Sequence, residues 1–243
     1  MGRGLFRELW RRGGALEVRG LAEINPLGRD PEELTANLAY LLAHDPAYGR
    51  FPGQVLARGG ELLVDGQALP VVYGGRPGGV DWRGLGVSVL VEASGDPAAA
   101  DQAAALAGTA VDKVVITRSA ATAQATLVRG INLDTYDPAR QHVISCSTCT
   151  ANALAPVLNV LDQAFGVASA AIATIHPALS GDTILDSPSL EAAAGRSGLG
   201  VRPVTSEVAR TTAQLLPHLE GRLVAMSFRV PTLLVNALVA DVV

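Results

Sequence analysis

Residues 142–166 read HVISCSTCTANALAPVLNVLDQAFG. The stretch begins as a strand, passes through a tight turn of small polar residues, and continues as a helix. Leu154, Val157, Leu158, Leu161 and Phe165 share one apolar face of that helix, and Gly166 stops it. A strand running straight into a helix, repeated along a chain, predicts an α/β protein with a mostly parallel sheet.

The flanking sequence repeats the alternation. Upstream, Leu5, Phe6, Leu9 and Trp10 stand at helical spacing in 3–12, 16–25 reads as a strand, and 31–43 opens with Pro31 and two acids as a short helix. Residues 54–72, with Asp65-Gly66 inside, predict a β-hairpin or meander. The apolar run 87–95 suits a buried parallel strand whose carboxyl end opens on a ligand crevice. A helix at 97–107 and a strand at 113–119 complete a β-α-β unit. The charged turn 134–142 divides the chain into halves. Downstream, strand 167–175 leads to His176, 186–202 reads as a loop, 203–217 as a helix, and 221–230 and 232–242 as apolar strands.

Composition excludes several classes. Of 243 residues, 49% are apolar and 17% charged, with mean hydropathy +0.29, so the chain is not disordered and favours a sheet buried on both faces. Aromatics are 4%, so the core is aliphatic. The net charge of −4, spread without blocks, gives no electrostatic footprint for nucleic acid. The most apolar stretch, 151–179, is broken by Asn152, Asn159, Asp162, Gln163 and His176 before about 18 clean apolar residues accumulate, which speaks against membrane insertion. The Arg-rich start lacks the apolar centre of a secretory signal, so a cytoplasmic location is expected. Two cysteines, Cys146 and Cys149, are too few and too close to staple a secreted scaffold.

Chemistry concentrates at three places. Cys149 starts a helix, with Ser147 or Thr148 as its N-cap, where free amide N–H groups and the helix dipole favour a thiolate. A buried small hydrophobe and a redox dithiol with Cys146 are the other readings of this position. A zinc site needs four ligands, and no second pair accompanies these two, so no metal is expected. His176 ends a strand, where active-site residues of α/β sheets gather, and an imidazole near a thiol can take its proton. His44, His142 and His218 read as surface residues. Arg229, within the apolar run SFRVPT, calls for a bound anion or a carboxylate partner.

These residues carry a family resemblance. STCTANALAPVLNVLDQAFG resembles the active-site segment of glyceraldehyde-3-phosphate dehydrogenase, Ser-Cys-Thr-Thr-Asn-Cys-Leu-Ala-Pro, with Cys149 in the nucleophile's place, Thr148 in that of the preceding Ser, and Cys146 where the family usually has Asn. ATIHPALSGDTILDSPS resembles the stretch holding the family's catalytic His, which falls on His176. LLPHLEGRLVAMSFRVPT resembles the run that ends Phe-Arg-Val-Pro-Thr, which gives Arg229 a phosphate role. HDPAYGRFPGQV, VEASG and GINLDTYDP resemble further family segments in the same order.

The resemblance implies a Rossmann-like NAD(P)-binding domain over 1–147 and an α+β catalytic domain over 148–243, both incomplete relative to the family. It implies a phosphorylating oxidation of glyceraldehyde 3-phosphate to 1,3-bisphosphoglycerate through a Cys149 thioester, with NAD or NADP as cofactor and inorganic phosphate as co-substrate. Cys149 and His176 would be catalytic. Thr148, Thr150, Ser206 and Arg229 would hold substrate and phosphate, and Gly2, Arg3, Asn25, Ser94 and Gly95 the cofactor. A homotetramer is implied, with neither nucleic acid nor membrane as partner. The alternative is a non-catalytic paralogue with a binding or regulatory role.

Several positions depart from the pattern. The chain starts within the glycine motif, and Pro26 stands where the ribose-binding acid is expected, which predicts weak cofactor binding and an aggregation-prone monomer unless another chain supplies the first strand. Leu179 replaces a Thr. Glu207 replaces a Gly beside Ser206, where a carboxylate repels phosphate unless it is paired.

Overall fold

Phe6 and Arg7 are the buried residues of the first helix, α1 (Gly2–Arg12), in a computed structural model that describes residues 1–14, 16–24, 28–74, 76–179, 182, 184, 199–234 and 236–243. Phe6 packs on Phe51, while the Arg7 guanidinium stacks 5.4 Å from the Phe51 ring and donates to the carbonyls of Leu42 at 2.8 Å, Gly49 at 3.0 Å and Arg50 at 2.7 Å. A buried cation is tolerable because these oxygens replace its water. That network pins the segment HDPAYGRF beneath α1.

Strand β1 (Leu21–Glu23) is shorter than the expected 16–25, because residues 16–20 do not enter the ladder. α2 (Pro31–Ala43) has the expected bounds, with the Asp30 carboxylate accepting from the Glu32 N–H, Pro31 in the first turn, and Glu32 and Glu33 favourable to the dipole. β2 (His44–Asp45) and β3 (Gly49–Arg50) form a short hairpin. β4 (Val55–Arg58), β5 (Glu61–Val64) and β6 (Gln67–Leu69) form an antiparallel meander. Its second turn places Asp65 and Gly66 at φ 50° and 81°, the left-handed pair that a tight hairpin needs. β7 (Val71–Tyr73) leaves the meander and pairs in parallel with β1.

The β-α-β unit follows as β8 (Val89–Glu92), α3 (Pro97–Ala104) and β9 (Lys113–Ile116), and then come β10 (Ala125–Thr126) and β11 (Val143–Ser145). The sheet order is β10-β11-β9-β8, and β8, β9 and β11 run parallel. A groove of about 770 Å³ is lined by residues of α1, β1 and β8.

The second part of the chain comprises α4 (Cys149–Phe165), β12 (Ala170–His176), β13 (Arg202–Val204), α5 (Val208–Leu215), β14 (Leu223–Arg229) and β15 (Ala237–Val242). The sheet order is β13-β14-β12-β15, with β12 parallel to β14 and antiparallel to β15. Leu154 and Leu158 of α4, Ile172 of β12 and Val208 and Leu215 of α5 share one core. The apolar face of α4 is in part the expected one. Leu154 and Leu158 are buried and Leu161 packs on the core as expected, whereas Val157 is 55% and Phe165 85% exposed, and Ala151 and Ala155 complete the buried face. The expected helix 203–217 is shorter, since residues 203–204 belong to β13. Much of the predicted loop 186–202 lies outside the described residues.

The chain divides into two compact units, Met1–Ala125 with Asp137–Ser145, and Thr126–Tyr136 with Cys146–Val243. Among the described residues no helix is long and apolar enough to cross a membrane, and no group of three or more His, Cys, Asp or Glu is placed to hold a metal.

Candidate active site

The turn between β11 and α4 presents Cys149. Ser147, 1% exposed, adopts φ 61°, a left-handed conformation that costs an L-residue about 1 kcal/mol. Thr148 then caps α4, its Oγ1 accepting from the Ala151 N–H at 3.2 Å. The Asn152 amide closes the turn by donating to the carbonyls of Cys146 at 2.6 Å and Thr148 at 2.9 Å. This bracing leaves Cys149 exposed as the first helical residue, while Cys146 is half-buried and its thiol is pushed up by burial. The Thr150 hydroxyl lies 3.7 Å from the Cys149 sulfur, and Thr148 Oγ1 lies 3.3 Å from Thr211 Oγ1 of α5.

His176 is the last residue of β12, not the residue after it, and it stands opposite Arg229 in the parallel ladder with β14. It is half-buried, and burial, followed by the Arg229 charge, lowers its pKa from the ordinary value, partly offset by a hydrogen bond to Asn236. Both burial and the Arg229 charge favour the neutral imidazole, the form a proton acceptor requires. Asn236 joins the pair: its Oδ1 is 3.1 Å from His176 Nδ1, and its Nδ2 donates to Cys149 Sγ at 3.8 Å. Asn236 was not singled out from the sequence; the one signal was an amide interrupting the apolar run LLVNALVADVV.

Among the described residues Arg229 has no carboxylate partner; Nη1 donates to the Pro177 carbonyl at 3.0 Å, which anchors the guanidinium beside His176. Ser206 precedes α5 and accepts from the Val208 N–H at 3.4 Å. Glu207 is exposed and ion-paired with Arg210 at 2.8 Å, so the repulsion expected of its carboxylate is partly neutralised in place. Of the histidines read as surface, His44 and His218 are exposed, but His142 is half-buried beside Lys113 Nζ at 3.3 Å and the Asp112 carbonyl at 3.2 Å.

In the first unit, Gly2, Arg3 and Ser94 line the groove described above; Gly95, at φ 80°, shapes the turn after β8 without lining it. Asn25 and Pro26 lie outside the described residues. The start of α1 has no side-chain cap and no acid in its first turn, so its N–H groups remain suited to an anion. Glu92, also in the groove, accepts through Oε1 from the Ser94 N–H at 2.8 Å and from the Ser94 hydroxyl, while its buried Oε2 has no partner among the described residues. An uncapped helix start and an unpartnered carboxylate oxygen in one groove fit a dinucleotide, whose phosphates need donors and whose ribose hydroxyls need acceptors.

A parallel α/β unit with such a groove, followed by a unit that presents an exposed cysteine at a helix start, has the organisation of a dinucleotide-dependent dehydrogenase with a cysteine centre. Comparison with known proteins narrows that class. Residues 1–99 match the family model for the glyceraldehyde 3-phosphate dehydrogenase NAD binding domain, and residues 148–243 match that for its C-terminal domain. The glyceraldehyde-3-phosphate dehydrogenase of Streptomyces coelicolor is 35% identical over 95% of this chain and 67% of its own length. That of Geobacillus stearothermophilus is 35% identical over 85% and 61%, and glyceraldehyde-3-phosphate dehydrogenase 2 of Bacillus subtilis 33% over 80% and 57%. The chain belongs to the glyceraldehyde-3-phosphate dehydrogenase family, and it spans about two thirds of the length of the Streptomyces relative.

Proposed function

We propose that this chain oxidises glyceraldehyde 3-phosphate to 1,3-bisphosphoglycerate with NAD or NADP and inorganic phosphate, residues 1–147 serving the cofactor and 148–243 the chemistry. The observation that carries the reading is the exposed Cys149 at the start of α4, linked through Asn236 to His176. His176 accepts the Cys149 thiol proton as the sulfur attacks the aldehyde carbon, then passes it to the oxygen, which gives a hemithioacetal. His176 takes the hydroxyl proton as the carbonyl re-forms and the hydride departs. Gly2, Arg3 and Ser94 would hold NAD or NADP, with Asn25 and the Gly95 turn nearby in sequence, and the cofactor would supply the hydride acceptor when bound. A phosphate oxygen then attacks the thioester, the carbon–sulfur bond breaks, and the thiolate returns. Arg229 supplies a guanidinium suited to phosphate, and Thr148, Thr150 and Ser206 supply hydroxyls. A cytoplasmic homotetramer completes the proposal.

The test omits phosphate. With glyceraldehyde 3-phosphate and NAD or NADP, one acyl group per chain should accumulate on the Cys149 peptide, accompanied by a burst of reduced cofactor, and Cys149→Ser should show neither. Acylation at Cys146, or none with either cofactor, would overturn the reading.

A further inference from the structure

The ladder between β12 and β15 pairs Ile175 with Ala237, so the next step of the same register sets Asn236 opposite His176. Residues directly opposite in a sheet point to the same face. His176 is thus flanked on one side by Arg229 from β14 and on the other by Asn236 at the start of β15. We infer that Asn236 is a positioning residue that fixes the tautomer and orientation of His176 and, with the same amide, donates to the Cys149 sulfur. This rests on the roles proposed above for Cys149 and His176.

The two ends of the amide have different chemistry, and each faces the group that needs it. Oδ1 is an acceptor, so the ring nitrogen 3.1 Å away carries the proton. Nδ1 is then N–H, and Nε2 keeps the lone pair that receives a proton. Nδ2, a donor, lies 3.8 Å from Sγ and holds the sulfur beside the imidazole. Reversing the amide would set an acceptor against a thiolate and force Nδ1 to accept, leaving Nε2 protonated and useless as a base. One planar side chain therefore links the position of the sulfur to the protonation pattern of the imidazole. The hydrogen bond to Asn236 and the charge of Arg229 also act on the imidazole in opposite senses, the first favouring its protonated form and the second its neutral form.

The experiment is a double-mutant cycle on the 243-residue chain, read as the single-turnover acylation rate. Asn236→Ala should slow acylation about 10–100-fold, the scale typical when a partner that orients a reactive group is lost, with the KM for aldehyde within about twofold. Asn236→Asp, nearly isosteric and still able to accept from Nδ1–H, should recover part of that loss. In a His176→Asn background, Asn236→Ala should slow the reaction by much less than it does alone. Imidazole ¹⁵N resonances should show Nδ1–H as the dominant tautomer in the parent chain and a mixture in Asn236→Ala. Equal slowing with and without His176, together with an unchanged tautomer, would overturn the inference while leaving His176 as the base. Full-rate acylation by His176→Asn itself would instead remove the base assignment, and this inference with it.

Discussion

Cys146 and Cys149 stand three residues apart on either side of one turn, yet they occupy opposite environments. Cys146 ends the strand side, half-buried, with its thiol pushed up by burial and its carbonyl tied to the Asn152 amide. Cys149 opens the helix side, exposed, within reach of the Thr150 hydroxyl and the Asn236 amide. The difference shows that the exposure of each sulfur is set by its position in the turn. Ser147 in a left-handed conformation reverses the chain between the two, and the cap formed by Thr148 sets where the helix begins.

The strongest way to break this contrast is to remove the base proposed for one cysteine. His176→Asn should slow acylation of Cys149 by about 10²–10⁴-fold, the usual contribution of a general base. Because His176 is half-buried at a strand end and packs no part of the central core, the melting temperature should stay close to that of the parent chain. A large loss of stability with no separate rate effect would make His176 a structural residue.

A gentler probe leaves both cysteines in place. At neutral pH and limiting iodoacetamide, Cys149 should alkylate faster than Cys146, since the reagent reaches the exposed sulfur more readily and burial pushes the Cys146 thiol up. Peptide mapping by mass spectrometry reads the ratio. Equal labelling would mean that the turn does not separate the two environments.

Much of this arrangement was legible in the sequence, for reasons that can be located. Strand followed by helix, Cys149 at the helix start, His176 at a strand end and the 31–43 helix all follow from local periodicity and capping, which the chain expresses within a few residues. What was not legible depends on distant pairing. β1 is three residues long because its ladder partner β7 is itself three residues long, and nothing near residues 16–20 reveals that. The buried face of α4 takes in Ala151 and Ala155 and leaves out Val157 and Phe165, because it is chosen by neighbours that the helix pattern does not encode. Asn236 was read as part of an apolar strand. Its role appears only when β15 folds back antiparallel to β12 and sets it opposite a histidine 60 residues earlier in the chain.

The smallest expected effect concerns the charge that keeps His176 ready for Cys149. Burial is the main cause of its lowered pKa and the Arg229 guanidinium the second, so both favour the neutral ring. A base must be neutral, and acylation should therefore fall as pH drops through this lowered value, somewhere below the ordinary histidine range. Replacing Arg229 with Leu removes the second cause and leaves the first. The acid limb should move upward, toward the ordinary value, by a small amount, since a partly exposed charge is screened by water. Arg229 is also proposed to bind phosphate, so the measurement uses unphosphorylated glyceraldehyde, whose acylation does not need that contact. Stability has the same sign. Above the ordinary histidine pKa the ring is neutral both folded and unfolded, and as pH falls toward the lowered folded value the unfolded chain binds the proton first, so stability declines across that window. The decline should be shallower in Arg229→Leu. An acid limb that stays in place, or moves down, would show that the guanidinium does not set the state of the imidazole, and the advantage of Cys149 over Cys146 would then rest on burial and the helix start alone.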